Sequence, residues 1–240
     1  MAKKCIAIVQ ARLGSSRLPM KSLLCMRGLP LIDWVTSRLT TARCLDGLIV
    51  AVPDTPLDRV LVEHLQRRNV PCMTGPENDV LERFRQAAAF TGADFIVRVC
   101  ADNPLIWGEA VDRLADFYRQ GQYDYAYNHI PRNNLWPDGR GAEIFAREVL
   151  ETAAANARTP SQREHCCNYI WENASRFSMA TFDPTERWLC RPDIKLDVDS
   201  ADDFQRLSLL PFSPQMDARA IVDVCDQAGF ETGSGQIQNY

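Results

Sequence analysis

Apolar runs and helical repeats alternate from the start of the chain. Cys5 to Val9 is a continuous apolar run of the kind a strand buried on both faces shows, and it predicts a first, central strand. Leu31, Ile32, Val35 and Leu39 recur at helical spacing, and Gly47 to Val52 reads as a second buried strand, so one strand-helix-strand unit is complete by Pro53. The alternation continues with a helix marked by Val60, Leu61 and Leu65, a short strand from Val70 to Met73 and a helix carrying Val80, Leu81, Phe84 and Ala88. A strand over 94–99, a helix with Val111, Leu114, Ala115 and Tyr118, and a strand from Tyr123 to Tyr127 follow. Further on, the pattern predicts helices over 146–157, 160–173, 200–209 and 215–229 and strands over 177–182 and 193–198. This order predicts an α/β, Rossmann-like fold, a mainly parallel sheet sandwiched by helices.

With no internal repeat and no strong linker, residues 1–230 are expected to form a single domain, followed by a flexible tail over 231–240 with little to bury. Residues 129–141 hold two Pro, two Gly and three Asn or Asp, which predicts a long loop. Such loops often cover a site; a contact surface in a homodimer is the other reading.

Composition narrows the function classes. The chain of 240 residues is 46% hydrophobic, enough for a sizeable core. Its 27 Lys and Arg against 31 Asp and Glu give a net charge of −4, which argues against a uniformly basic nucleic-acid surface and leaves room for a local basic pocket. The apolar run after Lys4 is too short for a signal-peptide core and no run approaches a membrane span, so a cytoplasmic protein without membrane contact is expected. Nine cysteines, with no Cys-x-x-Cys pair and no His at ligand spacing, speak against a disulfide framework and a zinc site. Cys166 and Cys167 are expected on a helix, one facing inward and one outward.

Ligands of open parallel sheets bind outside the C-terminal strand ends, which directs attention to the residues after Val9, Val52, Val99 and Val198. After the first strand comes Gln10-Ala11-Arg12-Leu13-Gly14-Ser15-Ser16-Arg17-Leu18-Pro19-Met20-Lys21. Small residues there free backbone N–H groups, and Arg12, Arg17 and Lys21 add spaced cations, a make-up suited to phosphates. It matches neither the Walker A spacing nor Gly-x-Gly-x-x-Gly. Asp102 ends the strand 94–99, and Asp197 and Asp199 end the strand 193–198. Carboxylates at neighbouring strand ends can hold Mg²⁺ while the ion bridges substrate phosphates, although helix capping is the plainer role for each alone. Together the two features point to a nucleoside triphosphate or a nucleotide sugar with a divalent cation.

Ala7 to Lys21 resembles the opening of the cytidylyltransferases, especially the SpsF-type spore-coat polysaccharide family, with related openings in the CMP-KDO and CMP-acylneuraminate synthetases. The similarity continues in order through Ala51-Val52-Pro53-Asp54, the stretch Gly75 to Phe84, Arg98 to Ile106, Pro137-Asp138-Gly139 with Glu143, Arg163-Glu164-His165 and Leu196 to Ser200. It implies an enzyme of the nucleotidyltransferase class that joins CMP from CTP to an acidic sugar or other small acid and releases pyrophosphate. By that resemblance Arg12, Arg17 and Lys21 act on the triphosphate, and Asp102 and Asp199, with Asp197 beside them, hold Mg²⁺. Gln10, Ala11, Gly14, Ser15, Ser16, Asp54, Gly75, Asp79 and Arg83 are the expected nucleotide contacts. Asp138, Arg140, Glu143, Arg163 and His165, with His129 and Arg132, are candidates for the acceptor pocket.

Two departures stand out. Met20 replaces the usual Gly, which is tolerable if its φ is negative, and Cys100-Ala101-Asp102-Asn103 replaces Thr-Gly-Asp-Cys or Gln-Gly-Asp-Glu. A nucleotide-sugar-binding or glycosyltransferase-like protein of the same fold, or an enzyme using another nucleoside triphosphate, is the alternative reading.

Overall fold

The computed structural model describes residues 3–229. The expected tail 231–240 lies outside the described residues. Strands are β1 (Cys5–Gln10), β2 (Cys25–Met26), β3 (Leu29–Pro30), β4 (Gly47–Pro53), β5 (Cys72–Gly75), β6 (Phe95–Cys100), β7 (Tyr125–Tyr127), β8 (Glu143–Ala146) and β9 (Met179–Ala180). Helices are α1 (Leu31–Leu39), α2 (Arg59–Arg67), α3 (Val80–Thr91), α4 (Gly108–Gly121), α5 (Arg147–Asn156), α6 (Pro160–Glu164), α7 (Asn168–Glu172), α8 (Ala201–Leu209) and α9 (Ala218–Gln227).

Seven strands form one sheet in the order β5-β4-β1-β6-β8-β7-β9. β5, β4, β1 and β6 run parallel, whereas β8 is antiparallel to both β6 and β7. The sheet is sandwiched because its strands alternate between two apolar layers. Cys5, Ala7 and Val9 of β1 face one layer with Val50 and Val52, packed by α1, α2 and α4. Ile6 and Ile8 face the other with Ile49 and Ile96, packed by α3, α5 and α7. A third cluster joins Trp34 of α1 to Trp136, Leu196, Val198 and residues of α8 and α9, and it fixes the segment that carries Asp197 and Asp199.

Several expectations need correction. Val60 is 46% exposed, so α2 buries Leu61 and Leu65 alone of its expected apolar face. β8 was not expected, because the charge of Glu143 interrupts its apolar pattern. The alternation of Ile194, Leu196 and Val198 makes an extended segment but no ladder: Asp138 N–H donates to Ile194 O, and Val198 N–H to Asp102 O. The expected strands over 177–182 and 123–127 shrink to Met179–Ala180 and Tyr125–Tyr127, and the strand near 70–73 shifts to Cys72–Gly75. The expected helix 160–173 breaks between α6 and α7, and at that break both Cys166 and Cys167 are buried, not one inward and one outward.

Candidate active site

Sheet polarity brings the ends of β1 and β6 together, and the residues just after them open onto one cavity of about 410 Å³. The loop after β1 is held from behind: Asp58, 3% exposed, accepts from Leu13 N–H at 2.7 Å and from Thr55 Oγ1 at 2.6 Å. Met20 N–H donates to Leu13 O, closing the loop before Lys21 starts a 3₁₀ turn. Met20 has φ +61°, in the left-handed region, so the condition under which a side chain would be free of strain there is not met.

Gln10, Ala11, Arg12, Ser15, Ser16, Arg17 and Lys21 line the cavity on one side, and Asp102, Asp138, Asp197 and Asp199 line it on another. Lys21 Nζ lies 2.8 Å from Asp102 Oδ2, 3.9 Å from Asp199 Oδ1 and donates to Val198 O at 3.0 Å. Arg17 lies 3.2 Å from Asp199 Oδ1. One ammonium therefore spans the two carboxylates expected to share a cation. Among the described residues no group of three His, Cys, Asp or Glu forms a ligand set. Two carboxylates with hard oxygen donors still fit Mg²⁺ or a similar ion, which commonly takes only one or two from the protein and the rest from phosphates and water. Asp197 is engaged instead by Lys195 at 3.0 Å; its burial raises its pKa to about 6 although Lys195 opposes the shift. Burial, and then the charge of Asp197, pushes Asp138 up to about 8. Gly139 beside it has φ +77°, and a Cβ there would stand 2.7 Å from Asp197 N, so only glycine lets the two segments meet.

The far side of the cavity is made by Arg98, Cys100, His129, Arg132, His165, Cys167 and Trp171. Glu143 anchors it, 2% exposed, accepting from Arg98 and Tyr125. Burial alone would raise its pKa, but Arg98 and then His129 bring it down to about 2. Arg132 stacks over Trp171, 4.3 Å from the ring centroid.

Gly14, Asp54, Gly75, Asp79, Arg83, Arg140 and Arg163 do not line this cavity. Asp79 caps α3 by accepting from Glu82 N–H, Asp54 N–H donates to Gly75 O, and Arg83 is fully buried, donating to Pro76 O and Glu77 O. Arg163 braces α6, donating to Ala154 O and Ala157 O and lying 3.4 Å from Asp79. Arg140 is fully buried, 5.6 Å from the centroid of Trp107, with Nε, Nη1 and Nη2 lacking hydrogen-bond partners among the described residues. The sequence places Arg140 and Arg163 on the acceptor side, and the fold turns both elsewhere. Arg98 is not among the expected site residues, although a charge inside an apolar strand is a signal for it; Asp58 gives no such signal.

A basic loop after the first strand, facing carboxylates across a strand-end cavity of a mainly parallel sheet, defines a nucleotidyltransferase. The family model described as Cytidylyltransferase matches residues 6–196, and the chain belongs to that family. An uncharacterized protein of Methanocaldococcus jannaschii is 34% identical over 93% of this chain and 91% of its own length. The spore coat polysaccharide biosynthesis protein SpsF of Bacillus subtilis is 26% identical over 85% of this chain and 84% of its own. A solved cytidylyltransferase from Leptospira borgpetersenii is similar with a TM-score of 0.85 and 26% identity, covering 97% of this chain and 98% of that one. Among the described residues no helix is long and apolar enough to cross a membrane.

Proposed function

We propose that this enzyme transfers CMP from CTP to a hydroxyl group of an acidic sugar or another small acid, releasing pyrophosphate, with a divalent cation held by Asp102 and Asp199. The observation that carries the reading is the span of Lys21 between those two carboxylates at the mouth of the loop after β1. Nucleotidyl transfer asks mainly for alignment and for compensation of charge on the phosphates. Arg12, Arg17 and Lys21 supply cations for that purpose, and the bound ion would neutralise charge that builds on the leaving group. Lys21 is 13% exposed in its side chain, so its charge acts with little screening, whereas Arg17 is 63% exposed and contributes less.

An acid as acceptor is supported by Arg132. Its guanidinium lines the cavity on the aromatic face of Trp171, a rigid backing for a fork that grips a carboxylate. Arg98 is less suited to that task, since Glu143 neutralises it.

The test is pyrophosphate release from CTP with Mg²⁺ or Mn²⁺, run over a panel of sugar acids and their neutral amides. The expected result is release, with a CMP ester formed, for an acid and not for its amide. Equal turnover with UTP, or no ester with any acid, would overturn the reading.

A further inference from the structure

We propose that His129 is the general base that takes the proton of the acceptor hydroxyl, with Glu143 holding the imidazole from behind. The assignment rests on the reading above, in which that hydroxyl attacks the α-phosphorus of CTP.

His129 follows β7 and lines the cavity that also holds Arg12, Lys21 and Asp102. Its side chain is 19% exposed, open enough for a ligand to reach, yet Nδ1 is buried and has no hydrogen-bond partner among the described residues. Nε2 lies 3.9 Å from Glu143 Oε2, the distance of an ion pair and not of a hydrogen bond. With Nδ1 closed off, Nε2 is the ring nitrogen a ligand can reach, and the carboxylate beside it stabilises the imidazolium that forms when Nε2 takes a proton. Glu143 is itself fixed by Arg98 from β6 and Tyr125 from β7, so the charge behind the ring cannot turn away.

The groups facing His129 are Arg98 on β6, Asp102 just past β6, Glu143 on β8 and the ring of Tyr127 on β7 at 6.0 Å. Burial lowers the imidazole pKa below its ordinary value while Glu143 opposes and Arg98 assists, so the ring is neutral and basic at pH 7. Competing bases in the cavity are poorer. Arg12, Lys21 and Arg132 are cations; Asp102 and Asp199 are engaged by Lys21 and Asp197 by Lys195; burial pushes Asp138 up to about 8 and the Cys100 thiol up to about 12, so both keep their protons at neutral pH; and His165, which also lines the cavity, has no carboxylate paired with its ring among the described residues.

In the step, the acceptor oxygen forms a bond to the α-phosphorus, the bond from that phosphorus to the bridging oxygen breaks, and its electron pair leaves on pyrophosphate. The hydroxyl proton passes to Nε2. The imidazolium so formed is stabilised by Glu143 and later returns the proton to solvent.

The test uses the full chain with CTP, a divalent cation and an acid that the wild type accepts. His129→Ala and His129→Gln should each lower kcat/KM by about 10² to 10⁴. The dissociation constant of CTP should stay within about twofold of wild type, because the base does not touch the triphosphate. The acidic limb of the pH–rate profile should vanish in both variants, and added imidazole should restore turnover in the alanine variant. Should His129→Ala fail to fold, the glutamine variant carries the same pH readout. Turnover within about threefold of wild type, or a slow variant that keeps the acidic limb and ignores imidazole, overturns the base assignment alone. A wild type inactive with every acid overturns the acceptor reading, and the base assignment falls with it.

Discussion

Lys21 and Asp102, separated by 81 positions, meet in an ion pair of 2.8 Å that ties the loop after β1 to the end of β6. Neither belongs to an apolar layer, and both line the cavity. Their side chains are only 13% and 24% exposed, but what is exposed opens on the cavity, where water can hydrate whichever partner is left, so the pair contributes about 1 kcal/mol to the fold. Lys21→Ala and Asp102→Asn are therefore expected to lower pyrophosphate release by more than about 10²-fold while moving the melting temperature little. Steady-state kinetics beside a thermal melt checks this, and variants that lose stability but keep turnover would make the pair structural.

The parts of this arrangement that the sequence made legible are those where burial on both faces or a strand-end position constrains residue type. β1, β4 and β6 read as apolar runs because helices cover both sides of the sheet, and the polar breaks after them mark where chemistry sits. Edge and antiparallel elements were harder to see. β8 carries Glu143, which a pattern reading treats as a break, although the fold compensates it with Arg98 and Tyr125. Direction was the other obstacle: nothing local tells whether an arginine of the 129–141 loop turns into the cavity, as Arg132 does, or into the core, as Arg140 does.

Met20 holds φ +61° next to Lys21 and packs part of its side chain on the core. Met20→Gly relieves the left-handed strain but gives up that packing and adds freedom to the unfolded chain, so its stability should stay within about 1 kcal/mol of wild type. Met20→Ile keeps the volume and adds β-branching, which this region of φ tolerates badly; a loss of about 1–2 kcal/mol is expected. Chemical denaturation of both variants tests this, and an isoleucine variant as stable as wild type would remove the strain from the account.

Glu143 ties acid stability to the floor of the site. Its folded pKa of about 2 lies below the reference value of 4.5, so the stabilisation it provides is full above that reference and is lost as pH falls from there toward 2. Glu143→Gln should flatten this part of the stability curve. It should also cost about 3–5 kcal/mol at neutral pH, since Arg98 is left buried without its counter-charge. Urea midpoints measured between pH 7 and pH 3 decide the matter: parallel curves for wild type and variant would mean that Glu143 does not titrate in this window.

Arg140 and Arg132 provide the sharpest contrast, because one short loop carries both and the fold gives them opposite surroundings. Arg140 is fully buried beside Trp107, and burial, with Arg38 nearby, lowers its pKa to about 9. At neutral pH the guanidinium is thus charged at a cost that the ring offsets only in part. Replacing it with methionine removes that cost and keeps most of the volume, so Arg140→Met is expected to be neutral or to stabilise by about 1–4 kcal/mol, with the Michaelis constant for the acid acceptor unchanged. Arg132→Ala should do the reverse. Its guanidinium faces the cavity, so the Michaelis constant for the acid should rise about 10-fold or more while the melting temperature holds, one factor of ten being about 1.4 kcal/mol of binding. If instead Arg140→Met weakened the acceptor and Arg132→Ala left it untouched, the acid would have to be read from the core side of the loop, and the cavity described here would not be the acceptor's.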